Sequence, residues 1–333
     1  MEPDELIDML EAAFSARTTC FEQEKSSACR LFNGHLEGYP ALVVDKYAQT
    51  IVMHNYADPP KASQDCLSAA QSLILARFPW VNAFVLKNRN DAIRQRKQGT
   101  IIYGKSIASR VHEFGVRYAL DLCMNQDASF YLDTRNLRRW LIDQMSGKLV
   151  LNTFAYTGSL GVAAQAGGAS RVLHTDLNRH YLNVAKTSYT LNGFPINKKN
   201  FQARDFWSQI SRLKRAGEQF DCVIIDPPIF SETNKGTIDL SKNTTRLINK
   251  IRPLVCHGGN IVAINNALYV SGQSYIKELE VLCIDGYVEI EEIIPVPDDV
   301  TGFEHTRIIP PITNPAPFNH STKIAVLRIR HKH

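Results

Sequence analysis

The chain has 333 residues, 44% of them hydrophobic and 21% charged, with a formal net charge of +5. This is ordinary globular composition, and the mild positive charge admits an acidic partner such as RNA without demanding one. No apolar run approaches membrane-spanning length, and the acidic start Glu2-Pro3-Asp4-Glu5 leads into an amphipathic helix rather than a secretory signal. The seven cysteines (Cys20, Cys29, Cys66, Cys123, Cys222, Cys256, Cys283) are scattered, with no CxxC and no metal-type spacing. An odd, dispersed set of this kind reads as reduced thiols in a soluble cytoplasmic protein that holds no metal.

In chain order, Leu6, Ile7, Met9, Leu10, Ala13 and Phe14 recur at helical spacing over 4–16. A turn-rich stretch, Gly34 to Pro40, precedes two strands at 41–44 and 49–55. Residues 61–78 are helical in period, 83–87 are strand-like, and 100–103 with 116–122 read as another hairpin arm. This mixed unit, 1–122, is expected to be an α+β accessory domain. From Leu149 the pattern becomes alternating strand and helix, that of a doubly wound parallel sheet. Strands are predicted at 149–154, 171–176, 200–203, 220–226, 260–265, 287–294 and 323–330. Helices are predicted at 158–166, 178–192, 205–215, 241–256 (closed by Gly258-Gly259 as a cap) and 274–283. The second domain, 123–333, is thus expected to be α/β with a mostly parallel, seven-stranded Rossmann-like sheet. The Pro-rich stretch 295–322 is read as either a functional lid or a disordered insertion.

The segment Phe220 to Phe230 is the most informative: an apolar run ends on Asp226, and Pro227 and Pro228 stop its continuation. Asp226 then lies at the carboxyl end of a buried strand, where open α/β sheets bind ligands. Rigid carbonyls and the Phe230 ring beside it suit a planar, nitrogen-bearing substrate. The turn Asn152 to Gly161 lacks the early glycines of a dinucleotide fingerprint, which argues against an NAD-dependent oxidoreductase. Asp176 ends the second strand eighteen positions after Gly158, near the spacing at which an acidic residue meets ribose hydroxyls. Asp205 and Asp226 follow the third and fourth strands in the same way. Each aspartate is also a plausible helix N-cap, an alternative fully competitive at Asp205.

Four ordered segments carry a family resemblance. Phe130-Tyr131-Leu132-Asp133-Thr134-Arg135, Leu151 to Gly158, Gly167-Gly168-Ala169 and Asp226-Pro227-Pro228-Ile229-Phe230 resemble the S-adenosylmethionine-dependent methyltransferases of bacterial 23S ribosomal RNA. The resemblance runs from about Ala41 to the end of the catalytic domain. It implies S-adenosylmethionine as cofactor, with Phe130 packing over its methionine end and Asp133 and Arg135 holding the charged groups there. Asn152, Phe154, Tyr156, Thr157 and Gly158 would line the first cofactor loop. Asp176 with Leu177 would meet the ribose, and Asp205 with Phe206 the adenine; Asp226 would face the cofactor as well as the base.

Within that family, enzymes that methylate cytosine C5 attack the base with a cysteine after the fifth strand. Here that strand ends Ala263-Ile264-Asn265-Asn266-Ala267, without cysteine, and resembles the guanine-N7 branch. The expectation is direct in-line transfer to a base in RNA, with Asp226, Pro227, Phe230 and Asn265 as catalytic residues and Phe230 and Asn266 on the substrate. The competing reading of Asn265-Asn266 is a polar strand end satisfied by loop backbone. Lys87, Arg89, Arg94, Arg96 and Lys97 are the candidates for RNA phosphates, against the plainer reading of a solvated basic loop. The protein is expected to act as a monomer or homodimer, away from membranes. A cytosine-5 enzyme, a methyltransferase of a small molecule and a noncatalytic RNA-binding protein on this fold are the alternatives.

Overall fold

The computed structural model describes residues 2–18, 25–242 and 244–331, so Cys20 lies outside the described residues. The chain forms two compact units, residues 1–132 with 297–310 and residues 133–296 with 311–333. The sequence places the division at 122/123 and does not foresee that a late segment returns to the first unit.

The first unit contains α1 (Pro3–Ala16), β1 (Ala28–Asn33), β2 (Leu42–Tyr47), β3 (Thr50–Asn55), α2 (Gln64–Arg77), β4 (Ala83–Asn88), α3 (Arg94–Gln98), β5 (Thr100–Tyr103), β6 (Arg110–Glu113) and β7 (Val116–Ala119). The first five strands form one sheet in the order β1-β2-β3-β4-β5. Only β3 and β4 are parallel, as the crossover through α2 requires. The apolar stripe of α1 (Leu6, Leu10, Phe14) and that of α2 (Leu67, Ile74) close over Val44, Ile51, Met53 and Phe84. The expected hairpin of 100–103 with 116–122 is corrected: β5 pairs with β4, and the partner of β7 is β6, a strand with little apolar signal of its own.

The segment 297–310 is tied into this unit by a buried ion pair. The Arg17 guanidinium meets both carboxylate oxygens of Glu37, at 2.8 and 3.0 Å, and donates to the carbonyls of Ala13 and Asp299. Glu37 also accepts from the Asn33 N–H and the Thr306 hydroxyl. The first half of the Pro-rich stretch is therefore neither lid nor insertion but part of this core. The second half is held in the second unit, where the Asn319 side chain bonds both main-chain groups of Val296 and the Phe318 ring meets Tyr275.

The second unit contains α4 (Arg135–Gln144), β8 (Leu149–Thr153), α5 (Ser159–Ala166), β9 (Arg171–Asp176), α6 (Arg179–Leu191), β10 (Phe201–Ala203), α7 (Phe206–Arg215), β11 (Phe220–Ile225), the hairpin β12 (Phe230–Thr233) and β13 (Gly236–Asp239), α8 (Thr244–Ile251), β14 (Val255–Asn265), α9 (Gly272–Cys283), β15 (Val288–Ile294) and β16 (Lys323–Ile329). Its seven-stranded sheet runs β10-β9-β8-β11-β14-β16-β15, the first five strands parallel and the last two pairings antiparallel. The α/β expectation thus holds.

Strand alternation divides the core. Leu151, Val223, Ile225, Ile261 and Leu327 face α7, α8 and α9; Val150, Cys222, Ile224, Val262 and Val326 face α4 and α5. Two elements differ from expectation. The helix read over 241–256 stops at Ile251, and Gly258-Gly259 lies inside β14 rather than capping a helix. The glycines form a bulge: Phe220 pairs with Val255 but Cys222 already pairs with Asn260, and a Cβ on Gly259 would sit 2.7 Å from the Asp221 carbonyl.

Breaking the Arg17–Glu37 pair leaves a buried cation without its counter-charge. Glu37→Gln should therefore destabilise the first unit by about 3 kcal/mol. That corresponds to a thermal midpoint lower by roughly 10 °C. A midpoint within about a degree of wild type, in a melt followed by circular dichroism, would refute this role.

Candidate functional site

The register across the sheet fixes where the strand ends meet. Thr175, Thr153, Ile225 and Ala263 are neighbours in one row across β9, β8, β11 and β14. The next residues of β9, β8 and β11, namely Asp176, Phe154 and Asp226, therefore form the carboxyl edge, where the chain must turn and where backbone groups remain for a ligand, while β14 runs on to Asn265 beside them.

The turn from β8 into α5 is tightly built. Phe154, Tyr156 and Gly158 adopt positive φ of 51°, 49° and 81°. For the two aromatic residues this conformation costs free energy, and such positions cluster at functional sites. Asp176 holds the turn: its Oδ2 accepts from the Tyr156 N–H at 2.8 Å and its Oδ1 from the Asn178 N–H at 2.8 Å. Burial raises the Asp176 pKa, and these backbone donors oppose the rise. Gly158 is needed twice over, since a Cβ there would lie 2.5 Å from that of Ala185. Thr157 is buried in the turn. Beneath it Asn152 is also buried and reaches His174 Nδ1 at 3.5 Å, while His174 Nε2 meets the Tyr189 hydroxyl at 3.0 Å. Burial drives His174 down to about 3, so it is neutral and structural. The close fit of Gly161 against His174 belongs to this same layer.

Phe154 stacks on Phe206, with centroids 4.7 Å apart and planes 26° apart. Asp205 is the N-cap of α7: its Oδ1 accepts from the Ser208 N–H at 3.0 Å, and its Oδ2 from the Thr233 hydroxyl at 2.9 Å. The cap alternative is thus realised at Asp205, and the second bond fastens the β12–β13 hairpin beside it. Leu177 is 67% exposed at the same edge.

Asp226 and Asp133 form the acidic part of the site. Burial and the negative charge of Asp133 raise Asp226 to about 7. Asp133 accepts from the Thr322 hydroxyl through Oδ2 at 2.6 Å, while its Oδ1 is buried and has no partner among the described residues. Pro227 is buried, whereas the Phe230 ring is 61% exposed at the start of the hairpin. Arg135 opens α4, two residues after Asp133. Phe130 falls in the first unit, buried against Tyr118 with its carbonyl accepting from the Tyr47 hydroxyl. The motif from Phe130 to Arg135 thus spans the division between the units.

The structure separates the two asparagines that end β14. Asn265 is fully buried: its amide donates to the Leu240 carbonyl and the Thr244 hydroxyl, and its Oδ1 accepts from the Ala267 N–H. Its expected catalytic place is corrected, because every polar atom is spent on the surrounding chain. Asn266 is the one with a free atom; its Oδ1 is buried with no partner among the described residues. Sequence reasoning missed Lys323, which lies opposite Asn265 in β16 and donates to the carbonyls of Ala267 and Ser321. Burial lowers Lys323 to about 8. Its only sequence signal is a charge at the start of an otherwise apolar strand.

The cysteines of the second unit lie away from this edge. Cys222 sits inside β11 with its thiol pushed up to about 12, Cys256 is at the far end of β14, and Cys283 ends α9. In the first unit Lys87 also departs from expectation. It is fully buried and gives its ammonium to the carbonyls of Gln98, Asn125 and Asp127, so it has no proton left for a phosphate. Arg89 bonds Gln126 and pairs with Asp127 at 3.5 Å. Arg94 and Arg96 are exposed on α3 and Lys97 is half-buried beside them.

Residues 85–293, more than half of the chain, match the family profile of S-adenosylmethionine-dependent methyltransferases. The chain belongs to this family, and S-adenosylmethionine is its cofactor. It is similar to ribosomal RNA large subunit methyltransferase K/L of Shewanella pealeana, 29% identical over 256 residues, covering 74% of this chain and 35% of that protein. It is also similar to ribosomal RNA large subunit methyltransferase I of Aeromonas hydrophila, 28% identical over 238 residues, covering 69% of this chain and 58% of the relative. The chain thus spans between about a third and three-fifths of these two relatives. Among solved structures it resembles SMU.776 complexed with SAH, with a TM-score of 0.83 at 21% identity, covering 99% of this chain and 82% of the other. That likeness establishes the fold. Among the described residues no helix is long and apolar enough to cross a membrane.

The edge fits the family's cofactor on its own geometry. The unpaired Asp133 Oδ1 and the Asp133–Asp226 repulsion call for a cationic group, and a sulfonium bearing an ammonium supplies that. Asp226 is neutral below about pH 7 and, in the ligand-free protein, ionises at a cost above it. A folded-state pKa raised above the unfolded value means stability is lost as pH climbs between the two. Asp226→Asn should therefore raise the melting temperature of the ligand-free protein at pH 8 and leave it unchanged near pH 4. After discount for partial exposure the gain is roughly 2 kcal/mol. Equal shifts at both pH values, in melts of the same two proteins, would disprove the assignment.

Proposed function

We propose that this protein transfers a methyl group from S-adenosylmethionine to a base of large-subunit ribosomal RNA, with guanine N7 as the accepting atom. The observation that carries this reading is the pairing of acceptors without a thiol at the β11–β14 edge. Asp226 and the unpaired Asn266 Oδ1 offer acceptors, Phe230 offers a ring face, and no described cysteine of the second unit lies there. Guanine carries N–H donors on its pairing edge and a free lone pair at N7, so two acceptors can hold it while N7 stays available. Cytosine C5 would need a thiolate and later a base to remove its proton. At N7 the nitrogen lone pair forms the new N–C bond as the S–C bond breaks. The sulfur leaves as a neutral thioether and the base keeps the positive charge, so no proton has to move.

The chain's contribution is therefore position and exclusion of water. In this reading Asp133 and Arg135 hold the charged methionine end, and the strained turn of Phe154, Tyr156, Thr157 and Gly158 lies against the cofactor, shaped from below by Asn152. Asp176 and Leu177 meet the ribose; Asp205, with lone pairs beyond its two bonds, and Phe206 meet the adenine. Asp226 and Asn266 grip the base, Pro227 stiffens the chain that leads from Asp226 to Phe230, and Phe230 stacks on the base. The exposed Arg94 and Arg96, with Lys97, serve phosphates, and the first unit acts as an RNA-binding accessory to the catalytic unit. The similarity to ribosomal RNA large subunit methyltransferases supports a ribosomal substrate.

Purified protein should methylate an unmodified 23S RNA transcript, and nucleosides from cells lacking the gene should lack one methylated guanosine. A transcript left inert together with an unchanged nucleoside profile by mass spectrometry would sink the reading. Asp226→Asn should lower kcat by at least about 10²-fold while the cofactor Kd, by calorimetry, stays within roughly tenfold. Phe230→Ala should raise the RNA KM by about tenfold through lost stacking; equal loss of cofactor affinity would place the ring on the wrong ligand.

A further inference from the structure

A groove of about 700 Å³ opens on the catalytic unit between α7, α8 and the tip of the β12–β13 hairpin. Trp207 and Lys214 with Arg215 come from one stripe of α7, Arg246 and Lys250 from a stripe of α8 one turn apart, and Lys235 from the hairpin turn. Five cations therefore line it, and no carboxylate does. None of the five is in an ion pair among the described residues, although the chain carries 33 acidic residues with which to neutralise them. Lys250 lies close enough to Lys214 that its charge adds to burial in lowering the Lys214 pKa.

The complement of helix dipoles explains part of this. Lys214, Arg215 and Lys250 occupy last turns, where positive charge is favoured. It explains neither Arg246, in the first turn of α8, nor Lys235. Arg246 is moreover pre-set, its guanidinium lying 5.1 Å from the centre of the Trp207 ring. A stacked guanidinium keeps its N–H edge free, the edge that grips a phosphate in bidentate fashion. Trp207 is itself fixed under the hairpin, because Gly236 packs so closely on it that a Cβ there would come within 2.6 Å of Nε1.

The hairpin links the groove to the site. The hairpin that supplies Lys235 begins at Phe230, and Thr233 fastens it to Asp205. We propose that this groove is a phosphate-binding track for the RNA substrate, which carries the strand flanking the target base away from Phe230 along α7 and α8. The proposal rests on the RNA reading above, and adds to the catalytic unit a surface separate from the basic run of α3. Charge that is uncompensated in the free protein is what counterion release requires, since each phosphate neutralised frees a bound cation.

The test is the salt dependence of binding to an unmodified 23S RNA transcript. The triple variant Lys214→Gln, Arg246→Gln, Lys250→Gln should flatten the slope of log Kd against log salt by about 2, three contacts at roughly 0.7 each. Its RNA KM should rise about tenfold or more near physiological salt, with kcat at saturating RNA and the cofactor Kd unchanged. Lys242→Gln removes a charge outside the groove, in the turn after β13 and paired with Asp239 at 3.8 Å, and should leave the slope as it is. The charge-keeping set Lys214→Arg, Arg246→Lys, Lys250→Arg should retain most of the slope, which separates charge from folding. A triple variant with the wild-type slope and KM, in a protein that does methylate the transcript, overturns the groove alone. A wild-type protein that neither binds nor methylates RNA overturns the RNA reading and the groove with it. A wild-type slope preserved on RNA together with a groove-dependent affinity for poly-glutamate would hand the surface to an acidic protein instead.

Discussion

Three parallel strands ending at one level of the sheet, beside a fourth that runs on to Asn265, are what the site depends on. The hydrogen-bonded row from Thr175 through Thr153 and Ile225 to Ala263 brings Asp176, Phe154 and Asp226 to a common edge although they are far apart in sequence. A slip of one residue in β11 would exchange its two faces, turning Asp226 toward the layer of α7, α8 and α9. The register is held because each strand is apolar on both faces, with one set of side chains packed on α7, α8 and α9 and the other on α4 and α5. The core thus specifies the chemistry indirectly, by leaving no alternative alignment that keeps both layers filled.

At that edge the chain accumulates unfavourable features that a ligand would relieve. Two non-glycine residues adopt left-handed backbone, two carboxyls repel one another, and two side-chain oxygens lack partners. Deeper in the same unit, buried hydroxyls find carbonyls, as in Tyr275 on Ala263 and Thr153 on Ile224. Left-handed aromatic residues, repelling carboxyls and unpaired oxygens gathered at one edge of a well-packed unit mark that edge as built for something other than stability. The basic groove beside it follows the same logic in charge rather than in hydrogen bonds.

Much of this is legible in the sequence where local signals and tertiary outcome agree. Asp176 and Asp226 each close an apolar strand-length run, so the order of residues alone places them at strand ends. Other residues show why the reading stops. Lys87 sits in a run of charged residues and looks solvent-facing, yet its strand carries it inside, where three carbonyls hold it. Asn265 and Asn266 are identical in type and adjacent, and no periodicity tells which amide the fold consumes. The β12–β13 hairpin follows two prolines and has little apolar alternation, so neither it nor the groove it helps to form announces itself. The return of 297–310 to the first unit depends on a contact between Arg17 and Glu37 that only the folded chain brings together.

Under the proposed function, the two asparagines divide structural and substrate roles between neighbours. Asn265 accepts from the Ala267 N–H while Lys323, its partner across the β14–β16 pairing, donates to the Ala267 carbonyl. Residue 267 is therefore gripped through both of its main-chain groups, and the backbone on either side of Asn266 has little freedom left. In the proposed function Asn266 is thus an acceptor mounted on a fixed backbone, with little main-chain entropy left to lose when a base N–H arrives. Asn265 and Lys323 act, on this view, as positioning residues: neither need touch a substrate, and both decide where Asn266 stands.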